Sequence, residues 1–219
     1  VRPFSLPALD GDSPTVLFLG AHCDDIEIGC GGTVLRLRRE RPDVDVRWVV
    51  LSSNDARREE ALASALRFLG EDGPSRMEVA SFRDGFLPYL GSEVKDYFED
   101  LKGRIQPDLI FTHTRDDLHQ DHRLVCELTW NTWRDHTILE YEIPKYDGDL
   151  GRPNTYVPLP AAVVEEKVKA LLDVFPSQSD RDWFDEDTFR AILRLRGVES
   201  NAFERYAEAF TARKCVLEL

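Results

Sequence analysis

No two of the four cysteines, Cys23, Cys30, Cys126 and Cys215, stand as a Cys-x-x-Cys pair, which excludes a zinc ribbon and a thioredoxin-like redox pair. Positive charge is also scarce. With 28 basic against 41 acidic residues the net charge is -13, which argues against nucleic acid or an anionic membrane surface as the main partner. It leaves a small anionic substrate open. Long apolar runs are missing too, the longest falling far short of the roughly 20 residues a membrane helix needs. The N-terminus has no charged region followed by an apolar one. The expectation is a soluble, cytoplasmic protein with reduced cysteines, no nucleic acid partner and no membrane insertion. No repeat, low-complexity tract or firm boundary interrupts the 219 residues, so one domain spanning 1–219 is expected. A homo-oligomer is left open.

What is present is an alternation of strand-like and helix-like segments. Thr15 to Gly20 (TVLFLG) reads as a buried strand, and Gly29-Cys30-Gly31-Gly32-Thr33 ahead of Val34, Leu35 and Leu37 as entry into a helix. Val44 to Leu51 and Met77 to Phe82 read as strands, Arg57 to Leu69 as a helix. Ser92 to Ile105 reads as a helix stopped near Gln106-Pro107, followed by a strand from Asp108 to Thr112. Leu124 to Trp133 looks helical, Ile138 to Ile143 extended, and Ala161 to Val174 helical. Between them, Tyr146 to Pro160 is rich in Gly, Pro, Asp and Asn and reads as a loop, a candidate lid or substrate loop. The fold class is α/β, Rossmann-like, with a mostly parallel sheet flanked by helices and a metal site at the carboxyl ends of its strands.

Two dense segments carry the chemistry: Gly20-Ala21-His22-Cys23-Asp24-Asp25 and His119-Gln120-Asp121-His122. Each follows an apolar strand, so both can converge at one edge of the sheet. An imidazole beside two carboxylates crowds negative charge, and a divalent cation is the simplest compensation. His22, Asp25 and His122 together could bind one ion and leave a position for water, as in a catalytic zinc site. A set of two histidines and one carboxylate also suits ferrous iron or another divalent ion. Three of the five histidines fall in these motifs, whereas His113 and His136 have no such company and read as structural or peripheral. Trp130 and Trp133, at helical spacing, read as core.

These motifs resemble those of the LmbE or PIG-L family of metal-dependent N-deacetylases, whose signatures are Ala-His-Pro-Asp-Asp with a following Gly-Gly and a later His-x-Asp-His. Here they stand as Ala21-His22-Cys23-Asp24-Asp25 with Gly31-Gly32, and His119 to His122. Cys23 replaces the usual proline, removing a backbone constraint. The resemblance extends through Arg58 ahead of Leu69-Gly70, Phe82 to Gly85, Pro107-Asp108, Ser177-Gln178 and Tyr206 to Phe210.

The resemblance implies zinc on His22, Asp25 and His122, Asp24 as general base, His119 stabilising the oxyanion, and Asp121 orienting an active-site histidine. It places Arg58 and Asp84 against an amino-sugar substrate, with the neighbouring Arg57 and the Glu59-Glu60 register leaving the choice of arginine open. The implied reaction releases acetate from an N-acetylated amino sugar of the N-acetylglucosamine type, free or conjugated. Two other classes fit less well. A dinucleotide-binding protein lacks Gly-x-Gly-x-x-Gly and an acid after Leu51; a non-catalytic metal-binding or carbohydrate-binding module would require neither Asp24 nor His119.

Overall fold

A computed structural model describes residues 9–216. Seven strands form one mixed sheet in the order β3-β2-β1-β4-β5-β7-β6. In chain order the elements are β1 (Thr15–Gly20), α1 (Asp25–Glu40), β2 (Asp45–Ser52), α2 (Asp55–Leu69), β3 (Met77–Phe82), α3 (Gly91–Arg104) and β4 (Leu109–His113). There follow α4 (Gln120–Thr132), β5 (Thr137–Tyr141), β6 (Thr155–Pro158), α5 (Ala161–Val174), α6 (Glu186–Glu199) and β7 (Ala207–Ala212). The first five strands are mutually parallel where they pair, as a run of β-α crossovers demands. β7 returns antiparallel between β5 and β6.

Alternation along the parallel strands splits the core into two layers. Val16, Phe18, Trp48, Val50 and Phe111 face one way and pack with Phe68 of α2, Val168 and Leu171 of α5, and Phe189 of α6. Leu17, Leu19, Val49, Leu51 and Ile110 face the other way, against Val94 and Phe98 of α3 and Val125 of α4. The strand order reverses between β1 and β4, whose registers match Leu17 with Ile110 and Phe18 with Phe111. Their carboxyl ends therefore lie side by side, at the switch point where such sheets open a crevice.

Two local expectations are corrected. Helix α1 begins at Asp25, four residues before the glycine run, so Gly29, Gly31 and Gly32 lie inside the helix instead of introducing it. Their role is close approach: a Cβ on Gly29 would stand 2.3 Å from the Tyr141 ring, and one on Gly32 2.5 Å from Leu159. The segment 146–160 is not all loop, since Thr155 to Pro158 forms the sheet edge by pairing with β7. An edge position tolerates the proline that ends it.

A buried ion pair fastens α1 from behind. Glu208 of β7 accepts hydrogen bonds from the backbone N–H of Gly32 (2.7 Å) and Thr33 (2.6 Å). Lys167 of α5 lies 2.7 Å from the same carboxylate and donates to the Ile28 carbonyl at 2.6 Å. Both charges are almost fully buried, and these partners offset the cost of removing them from water.

Candidate metal centre and active-site cleft

The turn after β1 is organised by Asp25, which accepts the backbone N–H of His22 at 2.7 Å and then starts α1. On the other side of the switch point, His119 caps α4: its Nδ1 accepts the N–H of Asp121 at 3.3 Å. One helical turn of α4 later comes His122. These local devices aim His22, Asp25 and His122 at one another. His22 Nδ1 lies 3.1 Å from His122 Nε2 and 3.3 Å from an Asp25 oxygen, and His122 Nε2 is 3.4 Å from the other Asp25 oxygen. Ligand atoms about 2.0 to 2.1 Å from a tetrahedral zinc ion would be separated by roughly 3.3 to 3.4 Å, so the spacing suits one ion.

The hydrogen bonds behind the two imidazoles make the same point chemically. Asp117 stands 2.9 Å from His122 Nδ1, and Asp121 stands 3.3 Å from His22 Nε2. Each carboxylate draws the ring proton to the far nitrogen, leaving a lone pair on the near one. Two lone pairs then face each other across 3.1 Å beside a carboxylate, an arrangement that only a cation or a proton can relieve. Burial alone would push both histidines down, yet Asp25 draws them above their ordinary values. His22, His119 and His122 also converge closely enough to share an ion, which puts His119 at its margin.

Asp24 points the other way, into the cleft. Burial raises its carboxyl above the ordinary value, and Arg57, 2.7 Å away, partly opposes that shift. His119 is held below its ordinary value by burial and by the neighbouring His122 and His22. With Nδ1 accepting a backbone proton, its Nε2 carries the N–H as a neutral donor. Asp121 is fully buried and also accepts the N–H groups of Gly85 (2.8 Å) and Leu87 (3.1 Å), joining the loop after β3 to the site. From that loop Asp84 reaches His22 Nε2 at 3.1 Å with its side chain still 79% exposed.

The cleft in front of these groups has a volume of about 760 Å³ and includes Arg57, Arg83, Tyr146, Ser177, Arg181 and Trp183 in its lining. Arg58 does not line it; Arg57 does. The reason is helix phase: Asn54 caps α2 by accepting the Arg57 N–H at 3.0 Å, which turns Arg57 and not Arg58 toward α1.

His113 is the residue whose surroundings differ most from those expected. At the end of β4 it stacks on His122 with ring centroids 3.9 Å apart and lies 3.2 Å from Asp25. Its Nε2 accepts the Ala21 N–H at 3.0 Å, so its lone pair is occupied by the backbone. Burial and His122 push it down to about 4, and it stays neutral. Asp117 and Lys145 were missed entirely. Lys145 pairs with Asp117 at 3.0 Å and with Asp149, tying the loop after β5 to the support of His122. The spacing of Asp117 from His122, five positions, was the available signal. Trp133 is core, as its helical spacing suggested, while Glu208 has Lys167 as its basic partner.

Comparison with known proteins adds four findings. The family described as PIG-L, GlcNAc-PI de-N-acetylase, matches residues 17–133, a span that holds both motifs. The Escherichia coli K12 protein named uncharacterized deacetylase YaiS is 29% identical over 140 residues, 59% of this chain and 74% of its own. N,N'-diacetylchitobiose deacetylase from Pyrococcus horikoshii is similar in structure, with a TM-score of 0.71 and 25% identity over 91% of this chain and 83% of that one. GalB from Pseudomonas putida KT2440, a 4-carboxy-2-hydroxymuconate hydratase, has a TM-score of 0.73 at 20% identity, covering 94% of this chain and 98% of its own. Architecture therefore does not choose the reaction by itself.

Proposed function

Since the chain belongs to the PIG-L family of de-N-acetylases, we propose that it hydrolyses the N-acetyl group of an N-acetylated amino sugar of the N-acetylglucosamine type. The products are acetate and a free amine. His22, Asp25 and His122 would hold a divalent ion, with zinc the first choice. The observation that carries this reading is the pair of imidazole lone pairs converging with Asp25, each fixed by a carboxylate behind it.

Such an ion would polarise the amide carbonyl and acidify a water molecule. The remaining work falls to the chain's own groups. Asp24 takes a proton from the attacking water as its oxygen bonds to the acetyl carbon, and its raised affinity for protons suits a base that must later give one up. Arg57 keeps that carboxyl in place and partly opposes the upward push of burial on it. His119, with an N–H on Nε2, donates to the oxygen that gains negative charge. The C–N bond then breaks and the nitrogen leaves as an amine after accepting a proton. Asp121 holds His22 in position, and Asp84 and Arg57 face the sugar. The cysteines stand unpaired, in keeping with a reducing, cytoplasmic setting.

The test is acetate release by metal-reconstituted protein from a panel of N-acetylhexosamine derivatives. Asp24→Asn should retain fold and metal but lose about a hundredfold to ten-thousandfold in kcat. His122→Ala should lose the metal. Wild-type turnover by a metal-loaded Asp24→Asn protein would remove Asp24 from the mechanism.

A further inference from the structure

The loop that follows β5 carries one lysine into the interior. The Lys145 side chain is 8% exposed, against 1% for Asp117 and 5% for Asp149, and its ammonium contacts both carboxylates, Asp117 at 3.0 Å. A third acid, the more exposed Asp147, lies 3.8 Å away. An ammonium taken this far from water is held only by such partners, and the buried partners need it equally. The same loop brings Lys145, Tyr146 and Asp147 to the wall of the cleft in front of the metal centre.

Both oxygens of Asp117 are committed beyond the lysine. Oδ1 accepts the backbone N–H of His119 at 2.7 Å, and Oδ2 lies 2.9 Å from His122 Nδ1. One carboxylate thus sets where the His119 backbone sits and how the His122 ring is turned. Among the described residues, its one hydrogen-bonding or ion-pairing partner from outside that motif is Lys145 Nζ, on Oδ1. On the other side of the ammonium, Asp149 accepts the Leu118 N–H at 2.7 Å. The loop and the segment leading into α4 are therefore stitched together at two successive residues, 117 and 118.

We propose that Lys145 is a positioning residue for the metal centre: by holding Asp117 and Asp149 at once, it aims His119 and His122 only while the cleft loop 145–149 is closed, so that loop closure and ion capture are one equilibrium. This inference rests on the reading of His22, Asp25 and His122 as the residues that hold the ion. Without the ammonium two buried carboxylates would face each other, and one must turn away or the loop must open. Either change releases His122 Nδ1 and the His119 amide. Linkage makes the effect reciprocal, since whatever the closed loop adds to affinity for the ion, the bound ion adds to closure of the loop. The sign of the effect separates positioning from simple charge. A positive charge near a dication repels it, so deleting the ammonium would by itself tighten ion binding, whereas lost aim weakens it.

The experiment measures zinc affinity, by competition with a chelator, for wild type, Lys145→Met, Asp117→Asn and the double variant. Lys145→Met should bind zinc about tenfold more weakly. Added to Asp117→Asn it should cause no further loss, because the lysine acts through that carboxylate. Amide exchange is read by NMR at Leu118 and His119, whose acceptors are the two acids. It should slow about tenfold when zinc is added to wild type, the same factor in reverse, and stay fast with or without zinc in Lys145→Met. Where Lys145→Met fails to fold, the charge-balanced pair Lys145→Met/Asp149→Asn carries the same comparison at His119. Unchanged or tighter zinc binding in the lysine variant, or losses that add to those of Asp117→Asn, would overturn the proposal. If wild type itself binds no zinc, the ion reading fails and exchange in the zinc-free protein decides the role of the lysine. Faster exchange at His119 in the variant, with the amides of β1 unchanged, upholds Lys145 as the residue that positions Asp117, and equal exchange rejects it.

Discussion

Asp117 and His122 form a fixed pair, with the carboxylate 2.9 Å from Nδ1 and both side chains almost fully buried. Burial would raise the Asp117 carboxyl, but His122, His113 and Lys145 together hold it well below the carboxylate range. It is therefore ionised at neutral pH, Nδ1 must carry the proton, and Nε2 presents its lone pair. Asp117→Asn keeps the size and removes the charge. Metal affinity should fall about 10- to 100-fold, measured by competition with a chelator. Unaltered affinity would mean that Asp117 does not set the tautomer.

Arg57 governs the acid side of the pH profile. Its guanidinium favours the ionised form of Asp24, so its removal must raise the Asp24 pKa further. The acid limb of kcat/KM should move to higher pH in Arg57→Gln and move less in Arg57→Lys, which keeps a charge. A shift to lower pH in Arg57→Gln would contradict Asp24 as the base that has to be ionised.

The position of Arg57 also shows what the sequence reveals. The run Thr15 to Gly20 declares a strand because its apolar centre, Val16 to Leu19, is continuous and local. His22 and Asp25, or His119 and His122, declare a site because their spacing is local. The choice between Arg57 and Arg58 needed the phase of α2, set by the Asn54 cap. His113 and Asp117 gained their places from the pairing of β4 with β1 and from the loop that follows, which bring together groups about ninety residues apart in sequence. The pattern of single residues carries no trace of that register. β6 and β7 are illegible for a related reason: they pair only with partners distant in the chain, and Ala207-Glu208-Ala209 is short and interrupted by a charge.

Gly29 offers a test of packing. Alanine there would gain up to about 1 kcal/mol in helix propensity, but its Cβ would stand 2.3 Å from the Tyr141 ring. Overpacking costs typically about 1 to 3 kcal/mol, so Gly29→Ala should lower the Tm. Tyr141 donates to the Leu19 carbonyl at 2.7 Å and lies 3.2 Å from His113, and its displacement should also weaken metal binding. An unchanged or raised Tm would show that the ring yields without cost.

Thiol chemistry gives a further check. Cys23, Cys30 and Cys126 are buried and Cys215 is exposed. Burial pushes Cys23 up to about 12 and raises Cys30 and Cys126 as well, so their thiolate forms are negligible at pH 8. Titration of the native protein with an aromatic disulfide should find one fast thiol, lost in Cys215→Ser. The other three should react only on unfolding. Rapid modification of Cys23 in the folded protein would show that the turn after β1 opens.

The clasp of Glu208 on α1 gives the molecule an order of completion. During synthesis the residues of both motifs emerge early, and β6 emerges with no sheet neighbour until β7 arrives to lie between it and β5. Until then α1 lacks the carboxylate that anchors Gly32 and Thr33, and Lys167 is a cation with no counter-charge. A growing chain that already contains His22, Asp25 and His122 therefore still lacks the support behind α1. Strand β7 locks α1, so the helix that carries Asp25 at its start gains its rear support only after β7 has been made.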